Sequence, residues 1–318
     1  RMVPGIGDGL PNGPNIYATA QLFLACGVPE IIVKLKDKNL LDLEVLTVTG
    51  QTLGENLAQW EKSVRRTRFR EKLLELDGVQ PDDVIMNFQK AAQNGLTSTI
   101  CFPTGNLAPQ GSVVKSTAID STVVDTDGIY RMTGPARIFY SEKEAMRAVK
   151  GLTKNSIQAG DVIVLCGRGP MGSGMEEVAQ ITLALKHLSW GKQVALLTDA
   201  RFSGVSTGAC IGHIGPEALA GGPIGKLREG DIIEIKINRR KLIGTINFIG
   251  QAGKIITPNE GKAVLDQRSA PSELQADPRL PEDTRLWAAL QNVGGGTWGG
   301  CVYDTDQIID ILEKNSVR

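Results

Sequence analysis

Histidine is scarce in this 318-residue chain and paired cysteine is absent, which narrows the chemistry available to it. Two histidines, His187 and His213, leave little from which to build a His-rich metal site. The five cysteines (Cys26, Cys101, Cys166, Cys210, Cys301) are odd in number, widely scattered and never in a C-x-x-C pair. That spacing excludes a disulfide framework and a self-contained zinc or iron–sulfur site. Charge of one sign is lacking too: 35 basic and 35 acidic residues cancel, so nothing marks a nucleic-acid surface or a polyanionic partner. No apolar run approaches the ~20 residues that a membrane-spanning helix needs. The first residues, "RMVPGIGDGLPNGPN", lack the basic-then-apolar order of a signal peptide and read as a chain entered midway, with no initiator Met. A cytoplasmic, reducing location is the expectation.

What is present is an ordinary globular composition, 41% hydrophobic, on a chain long enough for two domains. Tyr17 to Leu24 has helical spacing, and "VPEIIVKL" (Val28 to Leu35) predicts a short strand. "LTVTGQTLGENLAQWEKSVRR" predicts a β-rich lead, a turn at Gly50 and a charged amphipathic helix. Arg65 to Asn94 is polar and helical, with "GVQPDD" as a loop. Composition then shifts: from about Thr97 the chain is dense in Gly and β-branched residues, which puts a domain boundary near residues 95–100. Beyond it, "DVIVLC" and "KQVALLT" read as buried strands flanking one amphipathic helix, "GMEEVAQITLALKHL" (Gly174 to Leu188). "DIIEIKINRRKLIGTINFI" alternates about polar turn residues and predicts a hairpin, and "DTDQIIDILEKN" a closing helix.

Several motifs carry two readings. "GRGPMG" matches G-x-G-x-x-G at Gly167, Gly169 and Gly172, between a strand and a helix, with Asp199 at the end of the next strand. That is the context of a dinucleotide site, although Pro170 and the extra Ser-Gly lengthen the loop and the pattern does not repeat. Glu176 and Glu177 at a helix start either complement the helix dipole or leave the surface to bind a hard cation. Ser203 in "RFSGV" is not on the G-x-S-x-G elbow of serine hydrolases, and His213 reads more readily as a loop histidine than as its base. "GNLAPQGSVVK", with Asn106, suits backbone contacts to a polar ligand or a plain connecting loop. "GGGTWGG" surrounds Trp298 with flexible backbone.

In order along the chain, "LTVTGQTLGENL", "GNLAPQGSVVK", "GRGPMGSGMEE" and "LLTDARFSGVSTGACIGHIGPEALAGGPIGKLREGDIIEI" closely resemble the carboxyl-terminal half of the dihydroxy-acid and sugar-acid dehydratases. "CFPTGNLAPQGSVVKSTAID" and "RLWAALQNVGGGTWGGCVYDTDQI" look most like the D-xylonate branch. The resemblance implies an α/β fold: residues 1–95 as the tail of a large α/β cluster-binding domain, and 96–318 as a β-barrel-like swivelling domain. It implies removal of the C2 proton and C3 hydroxyl of a 2,3-dihydroxy acid as water, giving a 2-keto-3-deoxy acid. Ser203 would be the base at C2, Glu177 a Mg²⁺ ligand, Ser206 a partner of the substrate carboxylate, and Asn106, Asp199 and Arg201 further substrate contacts. An iron–sulfur cluster and Mg²⁺ would complete the site, with the cluster cysteines in an amino-terminal half outside this chain. The chain is therefore expected to be an inactive fragment of a homo-oligomeric enzyme without nucleic-acid or membrane partners. A nucleotide-binding domain built on "GRGPMG" is the competing expectation.

Overall fold

The computed structural model describes residues 5–9, 17–94, 96, 98–204, 206–251 and 253–315, so most of the Gly/Pro-rich start lies outside the described residues. The chain divides into two compact units, Arg1–Thr99 and Ile100–Arg318. No described helix is long and apolar enough to cross a membrane.

The first unit is helical: α1 (Thr19–Leu24), α2 (Gly27–Lys36), α3 (Leu53–Glu61), α4 (Val64–Asp77), α5 (Pro81–Val84) and α6 (Phe88–Gln93). Its centre is a small apolar cluster of Ala25, Leu73, Val84 and Ile85. The strand predicted at "VPEIIVKL" is helix α2. Its β-branched run suggested extended backbone, but Pro29 is harmless in a first turn, and Glu30 there with Lys34 and Lys36 in the last turn match the helix dipole. Tertiary charge then fixes the helix. Glu30 is fully buried and accepts from Arg66 Nε at 2.7 Å and Nη2 at 2.8 Å. Burial pushes its carboxyl up, but the Arg66 hydrogen bonds and the charges of Arg66, Lys34 and Arg70 outweigh that and hold it below its ordinary value. The β-rich lead before α3 reduces to one antiparallel bridge, Leu46 to Thr52.

The second unit is the mixed α/β part. Its strands are β1 (Ile100–Cys101), β2 (Gly111–Lys115), β3 (Ile129–Phe139), β4 (Val162–Leu165), β5 (Glu177–Val178), β6 (Ala195–Thr198), β7 (Arg201–Phe202), β8 (Ala209–Gly215), β9 (Asp231–Asn238), β10 (Ile243–Gln251) and β11 (Lys254–Ile255). The helices are α7 (Glu142–Val149), α8 (Pro170–Ser173), α9 (Gln180–Lys186), α10 (Pro258–Gln267), α11 (Glu282–Val293) and α12 (Thr305–Asn315). Nine strands form one sheet in the order β1-β2-β8-β6-β4-β3-β9-β10-β11, while β5 and β7 pair separately. The central β8, β6, β4 and β3 run parallel, and the flanking pairs are antiparallel.

Parallel strands covered on both faces read as continuous apolar runs. In β4, Val162 and Val164 enter one core and Ile163 and Leu165 the other, the latter beneath α7 and α9. The antiparallel β9 alternates, with Ile233, Ile235 and Ile237 inward. The sheet curls until its ends approach: Thr104, just past β1, bridges Thr245 in β10, and Ile246 N–H donates to the Thr104 carbonyl at 2.9 Å.

Candidate active site

The single helix predicted over Gly174 to Leu188 is broken. Gly174 and Met175 both take positive φ (70° and 66°), ending the four-residue α8, and the next residues pair as β5 with β7 before α9 begins at Gln180. Glu176 and Glu177 are therefore not helix-start acids. Arg168 grips Glu176 through Nε at 2.5 Å and Nη2 at 2.6 Å, and Arg201 Nη1 pairs with Glu177 while its Nε donates to the Met175 carbonyl at 3.1 Å. Two arginines pull the acids out of the helix that periodicity alone favours.

Because β4 and β6 are parallel neighbours, the loops after them, "GRGPMG" and "TDARFSG", emerge side by side. Asp199, 1% exposed, joins them: its carboxylate accepts from Gly167 N–H (3.0 Å), Arg168 N–H (2.9 Å) and Ala218 N–H (2.9 Å). Burial pushes its carboxyl up, opposed by those same amides. Glu217 closes on the loop from the other side, accepting from Met171 N–H at 3.1 Å. Burial, against the Met171 amide and with the Asp199 charge nearby, raises Glu217 to about 7. A Cβ on Gly169 would sit 2.3 Å from Glu217 Oε2, and one on Gly172 would sit 2.0 Å from the Gly167 carbonyl. The glycine pattern thus serves the protein's own carboxylates. The amides a pyrophosphate would need are already taken, and α8 is only four residues long, which removes the nucleotide-binding reading.

Past β7 the chain turns through Ser203 to Ser206, whose N–H donates to the Ser203 carbonyl at 3.0 Å. Ser203, Ser206, Lys115 and His213 line a cavity of about 160 Å³, walled mainly by apolar groups such as Val113 and Phe202. The Ser206 hydroxyl is buried beside Thr182 Oγ1 at 3.4 Å. His213 sits at φ 52°, its carbonyl accepting the Trp298 indole N–H at 2.7 Å. Burial, then the nearby Arg201 charge, depresses its imidazole and favours the neutral ring.

Of the residues singled out from sequence, Ser203 and Ser206 meet at this cavity, and Glu177 of β5 pairs with Arg201 of β7, the strand that leads to it. Asn106 and Asp199 do not line it. Asn106 is held by the closing sheet, its amide donating to the Phe248 and Pro258 carbonyls and accepting from Phe248 N–H. Lys115 and Glu217 were missed, although both stand inside the quoted motifs, at the end of "GSVVK" and in "GPEA".

A metal or cluster needs several ligands brought together. Among the described residues no three His, Cys, Asp or Glu side chains gather for a metal. Cys26, Cys101, Cys166 and Cys210 are buried free thiols and Cys301 is exposed. Burial raises the thiols of Cys166 and Cys210, the latter to about 12. The residues described here do not by themselves fit an iron–sulfur cluster or a Mg²⁺ site.

Residues 83–255 match the family model of the dihydroxy-acid/6-phosphogluconate dehydratase C-terminal domain. The chain is 58% identical over 312 residues to D-xylonate dehydratase YagF of Escherichia coli (strain K12), a span of 98% of this chain and 47% of that protein. It is 54% identical over 321 residues to D-xylonate dehydratase YjhG of the same organism, covering 99% and 48% respectively. Dihydroxy-acid dehydratase 2 of Bradyrhizobium diazoefficiens is 34% identical over 95% of this chain and 45% of its own length. The chain thus spans about half the length of the curated relatives it matches.

Proposed function

The chain belongs to the dihydroxy-acid/6-phosphogluconate dehydratase C-terminal family, and from that premise we propose that it carries the proton-abstracting half of a sugar-acid dehydratase. The substrate is a sugar acid such as D-xylonate, and the product is its 2-keto-3-deoxy acid. The observation that carries this reading is the cavity beside the "RFSG" turn. It holds two hydroxyls and one ammonium within apolar walls, a fit for a small polyhydroxy carboxylate rather than a bulky cofactor.

Ser203 is the group we assign to the C2 proton: its Oγ, ionised to the alkoxide, accepts that proton from the bound acid and becomes the hydroxyl. Ser206 donates to the substrate beside it. An ordinary serine hydroxyl is far too weak an acid to act so unaided and needs positive charge close by. Asp199 and Asn106 do their part by shaping loops, since their polar atoms are engaged by backbone. For Glu177 to hold a hard cation, its carboxylate would have to leave Arg201. Mg²⁺ would supply charge stabilisation of the enediolate, and the iron–sulfur cluster a Lewis acid for the leaving hydroxyl. Because the described residues do not fit either group, most of their ligands would lie in the part of the relatives' length that this chain does not span. Residues 1–95 would belong with that part, and 96–318 would carry Ser203. The five free thiols accord with a cytoplasmic enzyme.

The test is dehydration of D-xylonate by the active protein and its Ser203→Ala variant. Turnover should fall by orders of magnitude with KM nearly unchanged, and the C2 hydrogen of bound substrate should cease exchanging with deuterated solvent. A serine that only satisfies its turn would cost ~1 kcal/mol of stability and leave turnover near normal. Continued C2 exchange in the alanine variant would remove Ser203 from the reaction.

A further inference from the structure

The cavity beside Ser203 holds a positive charge that the fold leaves unbalanced. Lys115 ends β2, half-buried, and its Nζ donates to the Gly204 carbonyl at 2.8 Å. An ammonium has three N–H donors, so two remain for other partners. Among the described residues no carboxylate is paired with it, and burial alone lowers its pKa, with no neighbouring acid to counter the shift. Lys36, Lys90 and Lys262, in contrast, each contact an acid.

A half-desolvated cation facing an apolar wall is costly when nothing opposes it, and an entering anion offsets that cost. Val113 and Phe202 line the same space, and apolar walls of this kind lower the local dielectric and strengthen any ion pair formed beside them. The Ser206 hydroxyl lines the cavity as a second polar contact. Through Gly204, the residue after Ser203, the ammonium is also tied to the loop that carries the hydroxyl.

We propose that Lys115 binds the carboxylate of the sugar acid in the Ser203 cavity and thereby sets which carbon faces the Ser203 hydroxyl. The proposal rests on the dehydratase reading above. It adds a specificity rule: the site selects for the charge of the acid, not only for its hydroxyls.

The experiment compares D-xylonate with its uncharged amide, D-xylonamide, on the active protein and on Lys115→Met and Lys115→Arg. The methionine variant should lose about tenfold or more of its affinity for the acid and little for the amide, because a buried ion pair is lost only with the acid. Arginine should restore most of the acid's advantage. A readout independent of turnover is acetylation of Lys115 by acetic anhydride, followed by mass spectrometry. D-xylonate should slow it and D-xylonamide should not. Equal losses for acid and amide in Lys115→Met would make Lys115 a brace for the Gly204 loop and overturn the proposal. Unprotected acetylation at saturating D-xylonate would do the same. If the unaltered protein dehydrates D-xylonate while Lys115→Met is indifferent to charge, only this proposal falls. If the unaltered protein, supplied with the part of its relatives' length that this chain does not span, neither binds nor dehydrates any sugar acid, the dehydratase reading falls with it.

Discussion

Asp199 and Glu217 are two buried carboxylates clamping one loop, and they differ in how well the backbone compensates them. Asp199 has three amide donors, whereas burial drives Glu217 up to about 7. A carboxyl raised in the folded state binds its proton there while the unfolded chain has already released it. The stability tied to that proton is complete below about 4.5, the unfolded value, and is lost as pH rises through about 7. Glu217→Gln cannot titrate, so the unaltered protein should lose stability relative to it between pH 4.5 and 8, by at most about 3 kcal/mol. Urea midpoints of both proteins at pH 5 and pH 8 would measure this, and an equal gap at the two pH values would contradict it. Single residues were legible in position where a motif fixes them, as at Ser203, which lies on the cavity wall. Lys115 was not, because a lysine closing a strand means nothing until the pairing of β2 with β8 brings it to the Ser203 turn.

At the scale of elements, the "GGGTWGG" segment shows how a glycine-rich stretch can be a fastening. Trp298 lies across the β2–β8 pair where Gly111 faces Gly215, and a Cβ on Gly215 would come 2.2 Å from its Cδ1. The missing side chains of the strands make room for the indole, which also bonds the His213 carbonyl. Trp298→Ala should therefore cost about 2–3 kcal/mol, less than a fully buried tryptophan because the ring is half-exposed. Gly215→Ala should be comparably damaging alone but much less so in the Trp298→Ala background, since the clash partner is gone. Chemical denaturation of the two single variants and the double variant decides it; simple additivity would mean the ring and the glycine do not share this notch. Elements whose apolar period matched their burial, such as β4, β6 and the β9–β10 hairpin, could be read from sequence. Helix α2 and the broken stretch at Glu176–Glu177 could not. Arg66 at the first and Arg201 at the second are 36 and 24 residues from the acids they hold, beyond a local window, and the nearer Arg168 acts on Glu176 through a loop that helical periodicity does not describe.

For the molecule as a whole, composition excluded more than it specified: balanced charge and scattered cysteines said little about a nine-stranded sheet whose neighbours are distant in sequence. The parallel middle of that sheet is nearly local, with Val162 of β4 opposite Ala195 of β6. Its closure is not: the buried bond from Asn106 to the Phe248 carbonyl joins residues 142 apart. Chains that must unite remote segments assemble slowly, because the loop entropy is lost before the contact forms. Order of assembly follows. In refolding, amides of β4 and β6 should gain protection from exchange before those of Ile246 and Phe248, and pulsed deuterium labelling would resolve the two; simultaneous protection would refute the sequence of events. On the ribosome the same geometry becomes a delay. At ~5–20 residues per second the first strands wait roughly 7 to 30 seconds for β10 to be made. For that interval the edge beside Thr104 is an open ladder, and it is then that the growing chain is most exposed to pairing with a stranger.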